Sequence, residues 1–149
     1  KLIFVGSAPP KQEFWIEELQ EKIDELELKN SCKIIPFQQN IWAIWDSIDI
    51  AIVPSTEPEP FGLVALEAML AKKPVIAANH GGLTEIVKNN TTGYFFKPND
   101  SQDLSNRIQK LIVCEEDRIE FGLNGFEIAK KEFSLQRHVK QFLEIYHEV

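Results

Sequence analysis

The sequence predicts an α/β fold: a doubly wound parallel sheet with helices on both faces and a helical C-terminal tail. Three observations carry this. Five short apolar runs recur along the chain: LIFVG (2–6), KIIPF (33–37), IDIAIVP (48–54), PVIAA (74–78) and GYFF (93–96). The first four are near-continuous in Ile, Val, Leu and Ala, the pattern of strands buried on both faces of a parallel sheet. Helical periodicity lies between the runs, so strand and helix alternate with right-handed crossovers. From about Glu116 onward only helical patterns remain.

Each element follows in order. After the first strand, Ile16, Leu19, Ile23 and Leu26 recur at i, i+3, i+7 and i+10, one stripe of a helix. The third strand runs into a loop stiffened by Pro54, Pro58 and Pro60, and FGLVALEAMLA then reads as a helix starting near Phe61. Leu104, Ile108, Leu111 and Ile112 form another stripe, with Asp100 as its N-cap. The helical tail breaks near Phe133-Ser134, where Ser134 caps a last helix. Leu135, Val139, Phe142, Leu143 and Tyr146 lie on one face of that helix, opposite Gln136, Lys140, Gln141 and Glu144.

Length and composition bound the function. A chain of 149 residues is the size of one ordinary domain with one core. Hydrophobic content of 44% and charged content of 26% are globular values, which disfavours disorder and membrane spans. With 16 basic and 23 acidic residues the net charge is −7, which disfavours a nucleic-acid partner because phosphate contacts need clustered Lys and Arg. Cys32 and Cys114 stand far apart without a Cys-x-x-Cys spacing or a His pair, and read as reduced thiols of a cytoplasmic protein. No Asp-x-Asp or cluster of His and acidic ligands marks a metal site, so neither a metal nor another cofactor is expected. The chain opens on a buried-type strand with no Met or leader, which reads as an excised domain.

The chemistry concentrates in PSTEPEPFGLVALEAM, residues 54–69. In an open parallel sheet, ligands bind beyond the carboxyl ends of the strands, where strand gives way to helix. Here the N–H groups of Gly62, Leu63 and Val64 are free at a helix N-terminus, an anion site, and the absent Cβ at Gly62 lets a phosphate or sugar come close. Two carboxylates flank it. Glu59 lies at the mouth and Glu67 more than a turn inside the helix. Beside an anion site they make sense if the ligand also carries hydroxyl groups, since an ionised carboxylate accepts hydroxyl protons. A nucleotide sugar has phosphates, ribose and sugar hydroxyls together. The plainer alternative is a solvated loop glutamate and a surface helix glutamate.

Glu59-Pro60-Phe61-Gly62-Leu63, with Glu67 eight residues after Glu59, resembles the Glu-x7-Glu signature of the retaining GT-B glycosyltransferases. PVIAANHGGLTEIV (74–87) looks like that family's strand, Gly-Gly loop and Glu-Ile-Val helix, and TTGYFFKPNDSQDLSNRI (91–108) like its Thr-Gly hairpin and following helix. The likeness covers essentially the whole chain and implies a Rossmann-like, nucleotide-sugar donor-binding domain over residues 1–149, the C-terminal half of a two-domain enzyme whose acceptor-binding N-terminal domain is absent. It implies a UDP- or GDP-sugar donor and a glycan or lipid acceptor, with metal-free retaining transfer in cell-surface polysaccharide or glycoconjugate synthesis. It also implies a full-length protein peripheral at the inner membrane face, and a last helix that leaves part of its apolar stripe exposed.

The same resemblance assigns roles. Glu59 is the catalytic candidate and binds donor-sugar hydroxyls. Phe61, Gly62 and Leu63 offer backbone N–H groups to sugar and diphosphate, and Gly81 and Gly82 let the next loop approach the phosphates. Glu67 holds the ribose diol, while Phe37 and Gln38 contact the base. His80 reads as a loop histidine. Lys72 and Asn90 stand where the family commonly has glycine, so both are expected in a left-handed conformation. Two other readings remain: a sugar-nucleotide epimerase, which lacks this Glu spacing, and a non-catalytic flavodoxin-like regulatory module, which needs an acidic cluster where the first strand ends in GSAPP.

Overall fold

A computed structural model describes residues 1–147. They form two compact units, one of residues 1–41 and a larger one beginning at Trp42. Among the described residues, no helix is long and apolar enough to cross a membrane.

The first unit is strand, helix, strand: β1 (Leu2–Val5), α1 (Phe14–Glu25) and β2 (Cys32–Ile35). A helical return lets the second strand run parallel to the first, with Leu2 paired to Cys32 and Val5 to Ile35. Of the predicted α1 stripe, Ile23 is buried and Ile16 and Leu19 are half-buried, while Leu26 falls at the C-cap and is exposed. Burial of β1 and β2 departs from the expectation of strands covered on both faces: Leu2 and Val5 remain 40% and 38% exposed. A unit with a single helix has too little material to cover both faces of a sheet.

The second unit holds the main core. Its sheet has the order β3 (Ala51–Val53), β4 (Val75–Ala78), β5 (Gly93–Phe96), all parallel. The central strand β4 is fully buried at every residue, as a parallel strand covered on both faces must be. The segment expected to form a Thr-Gly hairpin is a turn feeding a parallel strand. Asn90 takes φ 58°, the N–H groups of Thr91 and Thr92 both return to the Lys88 carbonyl, and the chain leaves alongside β4.

Helices α2 (Trp42–Ser47), α3 (Leu63–Leu70), α4 (Leu83–Ile86), α5 (Ser101–Val113), α6 (Glu115–Glu132) and α7 (Leu135–His147) complete the unit. Helix α3 buries Ala65, Ala68 and Met69 completely and packs on β3, β4 and α6. Full burial of a side chain such as Met69 stabilises by about 2 kcal/mol. At its end Lys72 holds φ 58° and the Lys73 N–H reaches back to the Ala68 carbonyl at 2.9 Å, the left-handed close expected there. The Asp100 carboxylate accepts from the Asp103 N–H at 3.0 Å and caps α5. The Ser134 hydroxyl accepts from the Arg137 N–H at 3.3 Å and caps α7, so the predicted break falls where expected. Leu135, Val139, Phe142, Leu143 and Tyr146 are all exposed, from 47% to 74%.

Candidate functional site

The loops after β3 and β4 leave the same edge of the sheet, because the two strands are parallel neighbours. One loop runs from Pro54 to Gly62 and enters α3; the other, Asn79 to Gly82, enters α4. Helix α3 starts at Leu63, two residues later than the sequence predicts. The reason is Gly62, whose φ of 103° lies outside the helical region and leaves Phe61 in the preceding bend. A Cβ at Gly62 would also meet the Leu83 side chain at 2.9 Å.

The first intrahelical bond of α3 joins the Leu66 N–H to the Gly62 carbonyl at 3.2 Å. The N–H groups of Leu63, Val64 and Ala65 therefore lack intrahelical partners, and no side chain caps this end. A positive helix end stands open, and Glu59 Oε2 lies 3.8 Å from the position a Cβ would take on Gly62 at that end. Glu59 is half-buried; its Oε1 accepts from the Ser55 hydroxyl. Glu67 lies in the second turn of α3, also half-buried, and its carboxylate has no partner among the described residues.

The two loops are stitched together. The Gly82 N–H donates to the Glu59 carbonyl at 2.7 Å, and His80 Nε2 lies 2.8 Å from the Ser55 carbonyl. A Cβ at Gly81 would fall 2.6 Å from the Glu59 carbonyl oxygen, and one at Gly82 would fall 2.6 Å from Phe61 Cα. Both glycines are thus required by contact between protein backbones. No motif in the sequence marks Ser55, and His80 reads there as a loop residue. Their hydrogen bonds join the two loops across the fold, and a hydroxyl four residues before Glu59 was the one local sign.

Leu63 is 65% exposed, whereas the Phe61 ring packs edge-on against Phe133 at 5.9 Å, where α6 meets α7. Phe61 and Phe133 line a groove of about 870 Å³ with Leu66, Thr84, Lys88 and His138. Neither Glu59 nor Glu67 lines that groove, so the site rests on the open helix end and not on the cavity. Phe37 and Gln38 belong to the first unit, at the carboxyl end of β2. The Phe37 N–H donates to Ser7 Oγ at 3.0 Å and Gln38 Nε2 to the Pro36 carbonyl at 2.9 Å. The Phe37 ring is 71% exposed, which excludes a core role for it. Among the described residues no group of three His, Cys, Asp or Glu side chains is placed to hold an ion.

Parallel sheets flanked by helices, with an open helix N-terminus at the carboxyl edge, define a Rossmann-like α/β domain of the kind that binds anionic ligands there. Residues 1–128 match the family model described as glycosyl transferases group 1, and the chain belongs to that family of glycosyltransferases. It is 35% identical over 137 residues to an uncharacterized glycosyltransferase of Methanocaldococcus jannaschii, covering 89% of this chain and 38% of that protein. It is 28% identical over 149 residues to N-acetyl-alpha-D-glucosaminyl L-malate synthase of Bacillus anthracis, covering 100% of this chain and 38% of that one. Among solved structures, HepE of Anabaena in complex with UDP matches with a TM-score of 0.94 at 33% identity, over 99% of this chain and 40% of that chain. The chain thus spans about two fifths of the length of these relatives.

Proposed function

We propose that this chain is the donor-binding domain of a two-domain, retaining GT-B enzyme that transfers a glycosyl group from a nucleoside diphosphate sugar to a glycan or lipid acceptor. The observation that carries the reading is the open N-terminus of α3, with half-buried Glu59 in the loop before it and half-buried Glu67 in its second turn, the latter without a partner among the described residues. The diphosphate lies on the N–H groups of Leu63 and Val64, with Gly62 giving room at the helix start. Glu59 takes donor-sugar hydroxyls and Glu67 the ribose diol, each as a charged acceptor of hydroxyl protons. Gly81 and Gly82 keep their loop close to the phosphates by holding it against Glu59 and Phe61.

Support comes from structural relatives at 33% identity solved with UDP, with UDP-glucose, and with UDP and glucose. The positive helix end supplies the charge that binds the diphosphate, and no metal is invoked. The acceptor enters through a second domain, in cell-surface polysaccharide or glycoconjugate synthesis, with the enzyme cytoplasmic and peripheral at the inner membrane face. Titration calorimetry of the chain with UDP-glucose, UDP-N-acetylglucosamine and GDP-mannose tests the donor reading. Saturable binding of at least one supports it, and binding of none rejects it.

A further inference from the structure

We infer that Ser55 and His80 are positioning residues that aim the Glu59 carboxylate at the donor sugar; the inference rests on the donor-sugar role proposed for Glu59. The Ser55 hydroxyl has one proton, and it is committed to Glu59 Oε1. An ionised carboxylate has no proton to give back, so the direction of this bond is fixed. The other carboxylate oxygen, Oε2, is left over. It lies 3.8 Å from the position a Cβ would take on Gly62, at the open end of α3. One oxygen is thus anchored to protein, while the other stands where a ligand on the helix end would meet it.

Ser55 is itself held. Its carbonyl is 2.8 Å from His80 Nε2, and a carbonyl only accepts, so Nε2 carries the hydrogen. Two residues later in the same loop, the Gly82 N–H grips the Glu59 carbonyl at 2.7 Å. The loop after β4 therefore clamps the loop after β3 at both ends of the Ser55–Glu59 stretch, at the serine backbone and at the glutamate backbone. Pro58, within that stretch, limits the conformations open to it. The clamp holds backbone at both ends, and the serine hydroxyl restrains the rotation of the glutamate side chain. A group that must read the configuration of a sugar hydroxyl needs that freedom removed before the ligand arrives.

The test is discrimination between sugar epimers, read by calorimetry on the 149-residue chain with three pairs: UDP-glucose and UDP-galactose, UDP-N-acetylglucosamine and UDP-N-acetylgalactosamine, GDP-mannose and GDP-glucose. Wild type separates the members of at least one pair. Ser55→Ala narrows that separation by about three- to tenfold, the range of one lost hydrogen bond. Ser55→Thr, which keeps the hydroxyl, restores it, and His80→Ala narrows it in the same direction. On a Glu59→Ala background, Ser55→Ala changes the separation no further, because the carboxylate it acts through is gone. Undiminished separation in Ser55→Ala, or a full further loss on the Glu59→Ala background, overturns the inference while leaving the donor role of Glu59 intact. Undiminished separation in Glu59→Gln rejects the donor role itself. Should Ser55→Ala fail to fold, His80→Ala decides: unchanged separation in that variant overturns the inference.

Discussion

The backbone N–H of Gly82 donates to the carbonyl of Glu59 at 2.7 Å, joining the loop after β4 to the loop that carries the proposed donor-binding glutamate. A methyl group at Gly82 has no room, since it would stand 2.6 Å from Phe61 Cα and Phe61 O and 2.7 Å from Pro60 O. Those neighbours are backbone and cannot swing aside. Gly82→Ala is expected to destabilise the chain by about 1–3 kcal/mol, the usual cost of overpacking, and to weaken donor binding by moving Glu59. Urea unfolding of the variant checks the first part and calorimetry the second.

A similar contrast exists between α6 and α3. A Cβ at Gly122 would overlap the Lys72 carbonyl oxygen, whereas one at Gly125 would meet the flexible Met69 side chain at 3.1 Å. Gly122→Ala should therefore cost about 1–3 kcal/mol or more, and Gly125→Ala less, in part offset by alanine's better helix propensity of about 1 kcal/mol. Equal losses in the two variants would contradict this packing.

Tyr94 gives the alkaline end of the stability curve. Burial, followed by its hydrogen bond to Asp117 at 3.0 Å, pushes the phenol above its ordinary range. The folded chain then holds the phenol proton more tightly than the unfolded chain does. The resulting stability is fully present below the unfolded value of about pH 10 and is lost as pH rises through the folded value. Tyr94→Phe removes the donated bond, at a cost of about 0.5–1.5 kcal/mol near neutrality, and should flatten the fall in stability above pH 10. A fall as steep as that of wild type would show that another group titrates there.

Much of the fold was legible because burial on both faces writes a visible signature. The apolar runs at 48–54 and 74–78 became β3 and β4, and Asp100 and Ser134 cap the helices they were expected to cap. Helix α2 was not assigned: six residues from Trp42 to Ser47 are too few to display a 3.6-residue period. Helix α3 starts two residues after the position its sequence pattern suggests, because a sequence does not display the φ of Gly62. At the candidate site the spacing of Glu59 and Glu67 was visible. The bonds of Ser55 and His80 were not, since they depend on two loops meeting at the sheet edge.

Metal dependence offers a further check on the helix end as the diphosphate holder. A chelator is expected to leave donor affinity within about twofold, since the N–H groups and the positive end of α3 supply the counter-charge. Loss of binding on chelation, restored by Mg²⁺ or Mn²⁺, would assign that task to a cation.

For Glu59, turnover of the proposed two-domain enzyme provides the readout. If its carboxylate orients the donor sugar, Glu59→Gln should lower turnover by roughly tenfold or more, because misplacement of a reactant is expressed in the rate. Normal turnover in that variant would remove Glu59 from the chemistry.

In the proposed function a nucleotide lies along α3 with its ribose at Glu67. Calorimetry with UDP or GDP, whichever binds more tightly, and with its 2′-deoxy form, on wild type and on Glu67→Ala, reads that placement. Charge-assisted hydrogen bonds contribute about 1.5–3 kcal/mol each, so wild type should prefer the ribonucleotide by roughly tenfold or more, and Glu67→Ala should bind both forms equally. If wild type and variant discriminate to the same extent, Glu67 faces away from the ribose and the account of the site is wrong.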